Sequence, residues 1–309
     1  MGAAGGATGA MIEATGLGKR YGSTVAVAGL DLAIEAGSCV ALVGANGSGK
    51  STTLQMLSTL LPPSAGTARI AGCDLVRDPV GVRAAIGMVF QETALDRTLT
   101  VGDNLRFAGA LYDLPADQVA RRSQELLALF ELEGRRATPV AALSGVMRRA
   151  VDIARGMLHQ PSVLLLDEPT SGLDLGNRRS VWRHLERARR EQRTTLLLAT
   201  HLLDEAADCD LVIFMQGGQV IGQGRPLELI AALGAWVLEL AGSPLATAPF
   251  AHLGEHRRDG ARLSIMLRDA AFSLASLDQA ALARLDTVTL RRPMLEDVYQ
   301  RQFGGTSPA

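Results

Sequence analysis

The chain has 309 residues, and 31 Lys and Arg against 32 Asp and Glu leave a formal net charge of −1. That balance argues against a nucleic-acid binder held by bulk electrostatics, and the length suits one large domain plus a smaller one. Three scattered cysteines, Cys39, Cys73 and Cys209, have neither metal-ligand spacing nor a disulfide framework, which fits a reducing compartment.

The start, Met1 to Ala10, is rich in Gly and Ala without a basic segment or an apolar core, so it reads as a tail and not as a signal peptide. No run approaches the length of a membrane span. Cys39-Val40-Ala41-Leu42-Val43 is short, apolar and rich in β-branched residues, as a buried strand should be. It leads into Gly44-Ala45-Asn46-Gly47-Ser48-Gly49-Lys50-Ser51, a complete phosphate-binding loop. Leu54, Leu57 and Leu61 then recur at helical spacing up to Pro62-Pro63. Glycines let the backbone turn successive N–H groups inward at phosphate oxygens, and the helix adds its positive N-terminal end. Lys50 would reach the β- and γ-phosphates, and Ser51 would offer a hydroxyl to Mg²⁺.

Further along, Val119, Leu126, Leu127 and Phe130 fall on one helical face after the breaker Pro115, which predicts an amphipathic helix with Arg122 and Glu125 pointing outward. Val163 to Leu166 reads as a buried parallel strand. Asp167 at its carboxyl end would lie beside the phosphate loop and hold Mg²⁺ through a water. Glu168 follows as a candidate general base. The basic run from Arg178 to Arg193 carries Val181, Trp182 and Leu185 as an apolar stripe, so it predicts the solvated face of a helix. Another apolar strand, Thr194 to Thr200, ends at His201, where a side chain could touch a γ-phosphate. After Gly234 the pattern changes: Trp236–Leu240, Leu263–Leu267 and Thr287–Leu290 predict strands, with a helix from Met294 to about Gln302.

Taken together, these segments resemble the nucleotide-binding subunit of an ATP-binding-cassette (ABC) transporter, from about Ile12 to about Leu233. Tyr21 in Lys19-Arg20-Tyr21-Gly22 resembles the family's adenine-stacking aromatic. Gln91 resembles the glutamine that reads Mg²⁺, the attacking water and the membrane partner. Leu143-Ser144-Gly145-Val146-Met147 resembles the signature motif, Ser171-Gly172-Leu173-Asp174 the loop that crosses the dimer, and His201 the switch histidine. The segment after Gly234, closing on Pro293-Met294-Leu295-Glu296-Asp297-Val298-Tyr299, is similar to the extension of drug-resistance and lipid- or polysaccharide-export subunits.

The resemblance implies an α/β fold: a RecA-like P-loop core with an antiparallel β subdomain and a helical subdomain, plus a small α+β C-terminal extension. It implies a tail over residues 1–10, an ATPase domain over 11–234 with the helical subdomain at about 92–154, and the extension over 235–309. It implies ATP and Mg²⁺ as ligands, a membrane-spanning permease as partner, and no nucleic acid. Glu168, His201 and Gln91 would be catalytic, and Ser51, Gln91 and Asp167 would hold the metal. Two cassettes, identical or not, would pair head to tail. ATP would then lie on Tyr21, Gly44, Asn46, Gly47, Ser48, Gly49, Lys50, Ser51 and Thr52 of one, facing Ser144 and Gly145 of the other. Export by an ATP-hydrolysing subunit peripheral to the inner face of the cell membrane is the leading expectation. A soluble relative acting on ribosomes or DNA is disfavoured, because neither heptads nor an internal repeat appears. An ATP-gated clamp with little hydrolysis is the alternative, because Val146 stands where the family has a second glycine. There a β-branched residue would resist φ > 0 and crowd the approach to the γ-phosphate.

Overall fold

In the computed structural model residues 10–303 are described; most of the expected tail and the last six residues of the expected extension lie outside them. The chain opens with β1 (Ile12–Tyr21) and β2 (Thr24–Ile34), paired antiparallel. Five wholly buried residues form β3 (Cys39–Val43), and the glycine loop then feeds α1 (Lys50–Leu57). The helix stops before Leu61, because Thr59 takes a positive φ of 62° just past the cap at Ser58. β4 (Ala65–Ile70) and β5 (Cys73–Asp74) complete an antiparallel sheet ordered β2-β1-β4-β5.

Next come α2 (Pro79–Ala85) and β6 (Ile86–Val89), then three helices without an intervening strand. α3 (Val101–Leu111) starts with a reciprocal capping box between Thr100 and Asp103. α4 (Ala116–Leu129) carries the expected apolar face of Val119, Leu126 and Leu127. α5 (Gly145–Met157) is capped by the Ser144 hydroxyl, which accepts from the Met147 N–H. Arg122 corrects the amphipathic reading of α4. Its guanidinium is buried, donating to Glu125 Oε2 at 2.7 Å, Gln192 Oε1 at 3.0 Å and the Met157 carbonyl at 3.3 Å. Only Glu125 of that pair faces solvent.

β7 (Val163–Asp167), α6 (Leu175–Gln192), β8 (Thr195–Thr200), α7 (Leu203–Ala207), β9 (Leu211–Gln216) and β10 (Gln219–Gly224) follow. Together with β3 and β6 they build a sheet ordered β10-β9-β3-β8-β7-β6, parallel from β9 to β6. Both faces are covered, which is why β3, β7 and β8 are apolar without alternation. Each fully buried Leu in them contributes about 1.5–3 kcal/mol. Parallel register brings Val43 opposite Thr200, Asp167 opposite Ala199 and Val89 opposite Leu166. The residues after four strand ends therefore gather at one edge of the sheet.

On α6 the basic run points largely outward, with Val181 and Leu185 buried beneath it. Arg178 and Arg189 are the exceptions: Arg178 donates to the Leu173 carbonyl, and Arg189 to the Gly37 carbonyl and to Asp210. The cysteines are less scattered than their numbers suggest. Cys39 Sγ lies 3.3 Å from Cys209 Sγ, as a buried pair of free thiols.

The chain divides into two compact units after Gln223. The second contains α8 (Pro226–Ala231), β11 (Trp236–Ala241), α9 (Pro244–Thr247), β12 (Glu255–Asp259), β13 (Arg262–Leu267), α10 (Gln279–Leu282), β14 (Thr287–Arg291) and α11 (Leu295–Phe303). Its antiparallel sheet runs β12-β13-β11-β14 over a core of Leu238, Leu240, Phe250, Leu263, Ile265 and Leu267. Arg291 ties β11 to α11 by donating to Glu239 and Asp297. Among the described residues no helix is long and apolar enough to cross a membrane.

Candidate nucleotide site

The loop after β3 has the backbone that its glycines allow. Gly47 and Gly49 take φ of 81° and 104°, a region L side chains avoid. Gly44 is needed for close approach, because a Cβ there would sit 2.2 Å from the Met215 carbonyl oxygen and 2.6 Å from Ser48 Oγ. Lys50 is buried at the head of α1 and donates across the loop to the Gly44 carbonyl at 2.7 Å and the Ala45 carbonyl at 3.1 Å. Burial pushes its pKa below the ordinary lysine value, with the charges of Glu168 and Asp167 opposing the shift.

The strand ends supply the rest. Ser51 Oγ donates to Asp167 Oδ1 at 3.0 Å. Gln91 Nε2 donates to Glu168 Oε2 at 3.1 Å, and His201 Nδ1 lies 3.1 Å from Glu168 Oε1. Asp167 and Glu168 are both buried. Burial pushes the Asp167 carboxyl up; the Ser51 hydrogen bond opposes this, the Glu168 charge adds to it, and Lys50 opposes it. Glu168 also holds a left-handed backbone, φ 46°, while its N–H donates to the Ala199 carbonyl at 2.8 Å.

Asn46, Gly47, Gly49, Lys50, Ser51, Thr52, Gln91 and Glu168 line one cavity of about 370 Å³. Thr24, Val25 and Ala26 of β2 form its remaining wall. Those three were not anticipated, because Thr24-Val25-Ala26 belongs to no chemical motif. The one legible trace is Gly49, where a Cβ would meet the Ala26 carbonyl oxygen at 2.6 Å. Tyr21 is half-exposed at the end of β1, where it pairs with Thr24 at the rim. The Lys19 ammonium lies 5.4 Å from its ring centroid. Ser144 and Gly145 do not line the cavity; they are exposed at the start of α5. A larger groove of about 650 Å³ along α6 and α7, between Arg178, Trp182 and Asp208, contains no phosphate loop and none of these residues.

A phosphate cradle, a buried acidic strand end and a hydrogen-bonded Gln-Glu-His set thus share one sheet edge. The ABC transporter family model matches residues 27–171. The Nod factor export ATP-binding protein I of Ralstonia nicotianae is 37% identical over 304 residues, covering 95% of this chain and 94% of that one. The chain belongs to the ABC transporter family. As an ABC ATPase it binds and hydrolyses ATP. The daunorubicin/doxorubicin resistance ATP-binding protein of Streptomyces peucetius is 42% identical over 230 residues, covering 74% of this chain and 69% of that one. A dimeric ATP-binding cassette solved in a post-hydrolysis state, bound to ADP and Pi, superposes with a TM-score of 0.62 at 26% identity, covering 70% of this ABC ATPase and 98% of that chain.

Nothing in these likenesses supports the clamp alternative. Its conformational premise also fails. Val146 lies within α5, in the first turn after the Ser144 cap, and its φ is not positive. A valine there needs no left-handed backbone.

Proposed function

We propose that this ABC ATPase powers export through a separate membrane-spanning permease, and that its cargo is a compound of the kind named in its relatives, Nod factors or daunorubicin and doxorubicin. The observation that carries the reading is the hydrogen-bonded Gln91–Glu168–His201 set beside Lys50 and Ser51. Glu168 takes a proton from the attacking water, His201 orients Glu168 and meets the γ-phosphate, and Gln91 senses both nucleotide and permease. Lys50 and the N–H groups of residues 44–52 hold the phosphates, and Tyr21 stacks on adenine.

Two buried carboxylates face a single buried ammonium, so the pocket carries surplus negative charge and an all-oxygen donor set. That suits Mg²⁺, with Ser51, Gln91 and Asp167 as the residues that would hold it. When bound, the ion neutralises charge on the phosphates.

Exposure of Ser144 and Gly145, away from their own chain's cavity, supports a head-to-tail dimer in which they face the partner cassette's ATP. On this reading residues 11–234 are the ATPase domain, 92–154 its helical subdomain, and 235–309 an accessory extension. Near Gln91 an apolar groove of about 510 Å³ is lined by Leu60, Val80, Met88, Phe90, Leu111 and Tyr112. Leu60, Val80 and Leu111 are well exposed there, as a docking surface for the permease requires. The chain would then sit on the cytoplasmic face of the membrane through that partner alone.

Sedimentation tests this directly. Co-expressed with the permease recovered by detergent pull-down, the chain should pellet with membranes. With protein-free liposomes the purified chain should stay in the supernatant, since no described helix is a span. Strong binding to protein-free liposomes would overturn the permease-only attachment.

A further inference from the structure

α5 carries more than its exposed first residues. Arg149, Asp152 and Arg155 recur on one side of it, turned towards the segment that ends in Gln91. Arg149 Nη1 donates to the Phe90 carbonyl at 2.7 Å, and its Nη2 donates to the Gln91 carbonyl at 2.6 Å. Arg155 Nη2 donates to the Met88 carbonyl at 3.2 Å. Asp152, with no exposed surface, balances both: it accepts from Arg155 Nε at 2.9 Å and lies 3.6 Å from Arg149 Nη1.

A buried guanidinium is costly unless its donors are used. Here two of them are spent on consecutive carbonyls of one short segment, a fork that suits Arg and not a point charge. The next link is the Gln91 side chain, whose Nε2 reaches Glu168 Oε2 at 3.1 Å. A continuous polar path therefore runs from α5 through Arg149 and the Gln91 backbone to Glu168.

We propose that Arg149 is a positioning residue for ATP hydrolysis: by gripping the Phe90 and Gln91 carbonyls it fixes the Gln91 amide against Glu168 and makes the segment move with α5. The proposal rests on the roles given above to Gln91 and Glu168. It also gives α5 a function besides presenting Ser144 and Gly145, because a shift of that helix displaces the amide that donates to the base.

The test is a double-mutant cycle on the purified full-length chain, measuring steady-state ATPase and the affinity of a fluorescent ATP analogue. Arg149→Met should lower kcat by roughly 10- to 100-fold, the scale of a misplacement near 1 Å. Analogue affinity should stay within about twofold, because Arg149 lies outside the phosphate loop. In a Gln91→Ala background the same substitution should cost nothing further, since the path is already cut. Arg149→Lys keeps the charge opposite Asp152 and should regain only part of kcat, and it serves alone in the cycle if Arg149→Met does not fold. Additive losses across the cycle, or an unchanged kcat in the Arg149 variants, would overturn the proposal. A Gln91→Ala variant with wild-type kcat would instead overturn the roles on which it rests.

Discussion

Glu168→Gln is expected to leave ATP binding intact and nearly abolish turnover. The side chain sits where four strand ends meet, accepting from Gln91 and contacting His201, and almost all of it is out of water. Glutamine has the same shape. Its carbonyl oxygen can still accept from Gln91, so the geometry around the cavity should survive. What disappears is the basic oxygen that takes a proton from the attacking water. Loss of a general base lowers rate by about 10²–10⁴-fold, which is about 2.7–5.4 kcal/mol of transition-state stabilisation. With binding retained and hydrolysis blocked, ATP should hold the dimer closed, and size-exclusion chromatography should show it accumulating. A kcat equal to that of the unmutated chain would remove Glu168 from its role.

Lys50→Ala should behave differently, with affinity and activity falling together. The ammonium is buried at the mouth of α1 and bridges the Gly44 and Ala45 carbonyls, so it lies within the loop and not on a free surface. A charge in that place meets phosphate in the ground state as well as in the transition state. Losing one charge-assisted hydrogen bond costs about 1.5–3 kcal/mol, or roughly 10- to 150-fold in ATP affinity. The loss also leaves Asp167 and Glu168 without their nearest cation, which disfavours a further polyanion. Titration with a fluorescent ATP analogue measures the effect. Unaltered affinity would show that this loop is not where nucleotide binds.

The parts of the site that were legible in the sequence are those with local causes. The glycine spacing from Gly44 to Gly49 writes its own backbone. Buried parallel strands such as Val163–Leu166 announce themselves as unbroken apolar runs, and their last residues then share the sheet edge. Arg149 was illegible for the opposite reason. Its partners are main-chain carbonyls of residues 90 and 91, which leave no mark on residue type. Arg122 misled in the same way, since helical spacing cannot see Gln192 arriving from α6. The Cys39–Cys209 contact joins positions 170 residues apart, and only the neighbouring of β3 and β9 brings them together. β12 escaped because Glu255-His256-Arg257-Arg258-Asp259 has no apolar alternation; it is an edge strand, where charge discourages pairing with other chains.

Glu168 adopts its left-handed φ of 46° without being a glycine. That conformation costs an L-residue about 1–2 kcal/mol, so position 168 sets durability against turnover. Glycine would relax the backbone and also relieve a buried carboxylate, and a Glu168→Gly chain should melt above the parent while hydrolysing almost nothing; a lower melting temperature would show that the contacts to Gln91 and His201 outweigh the strain. A lineage selected only for heat resistance would therefore drift towards a cassette that holds ATP and no longer spends it.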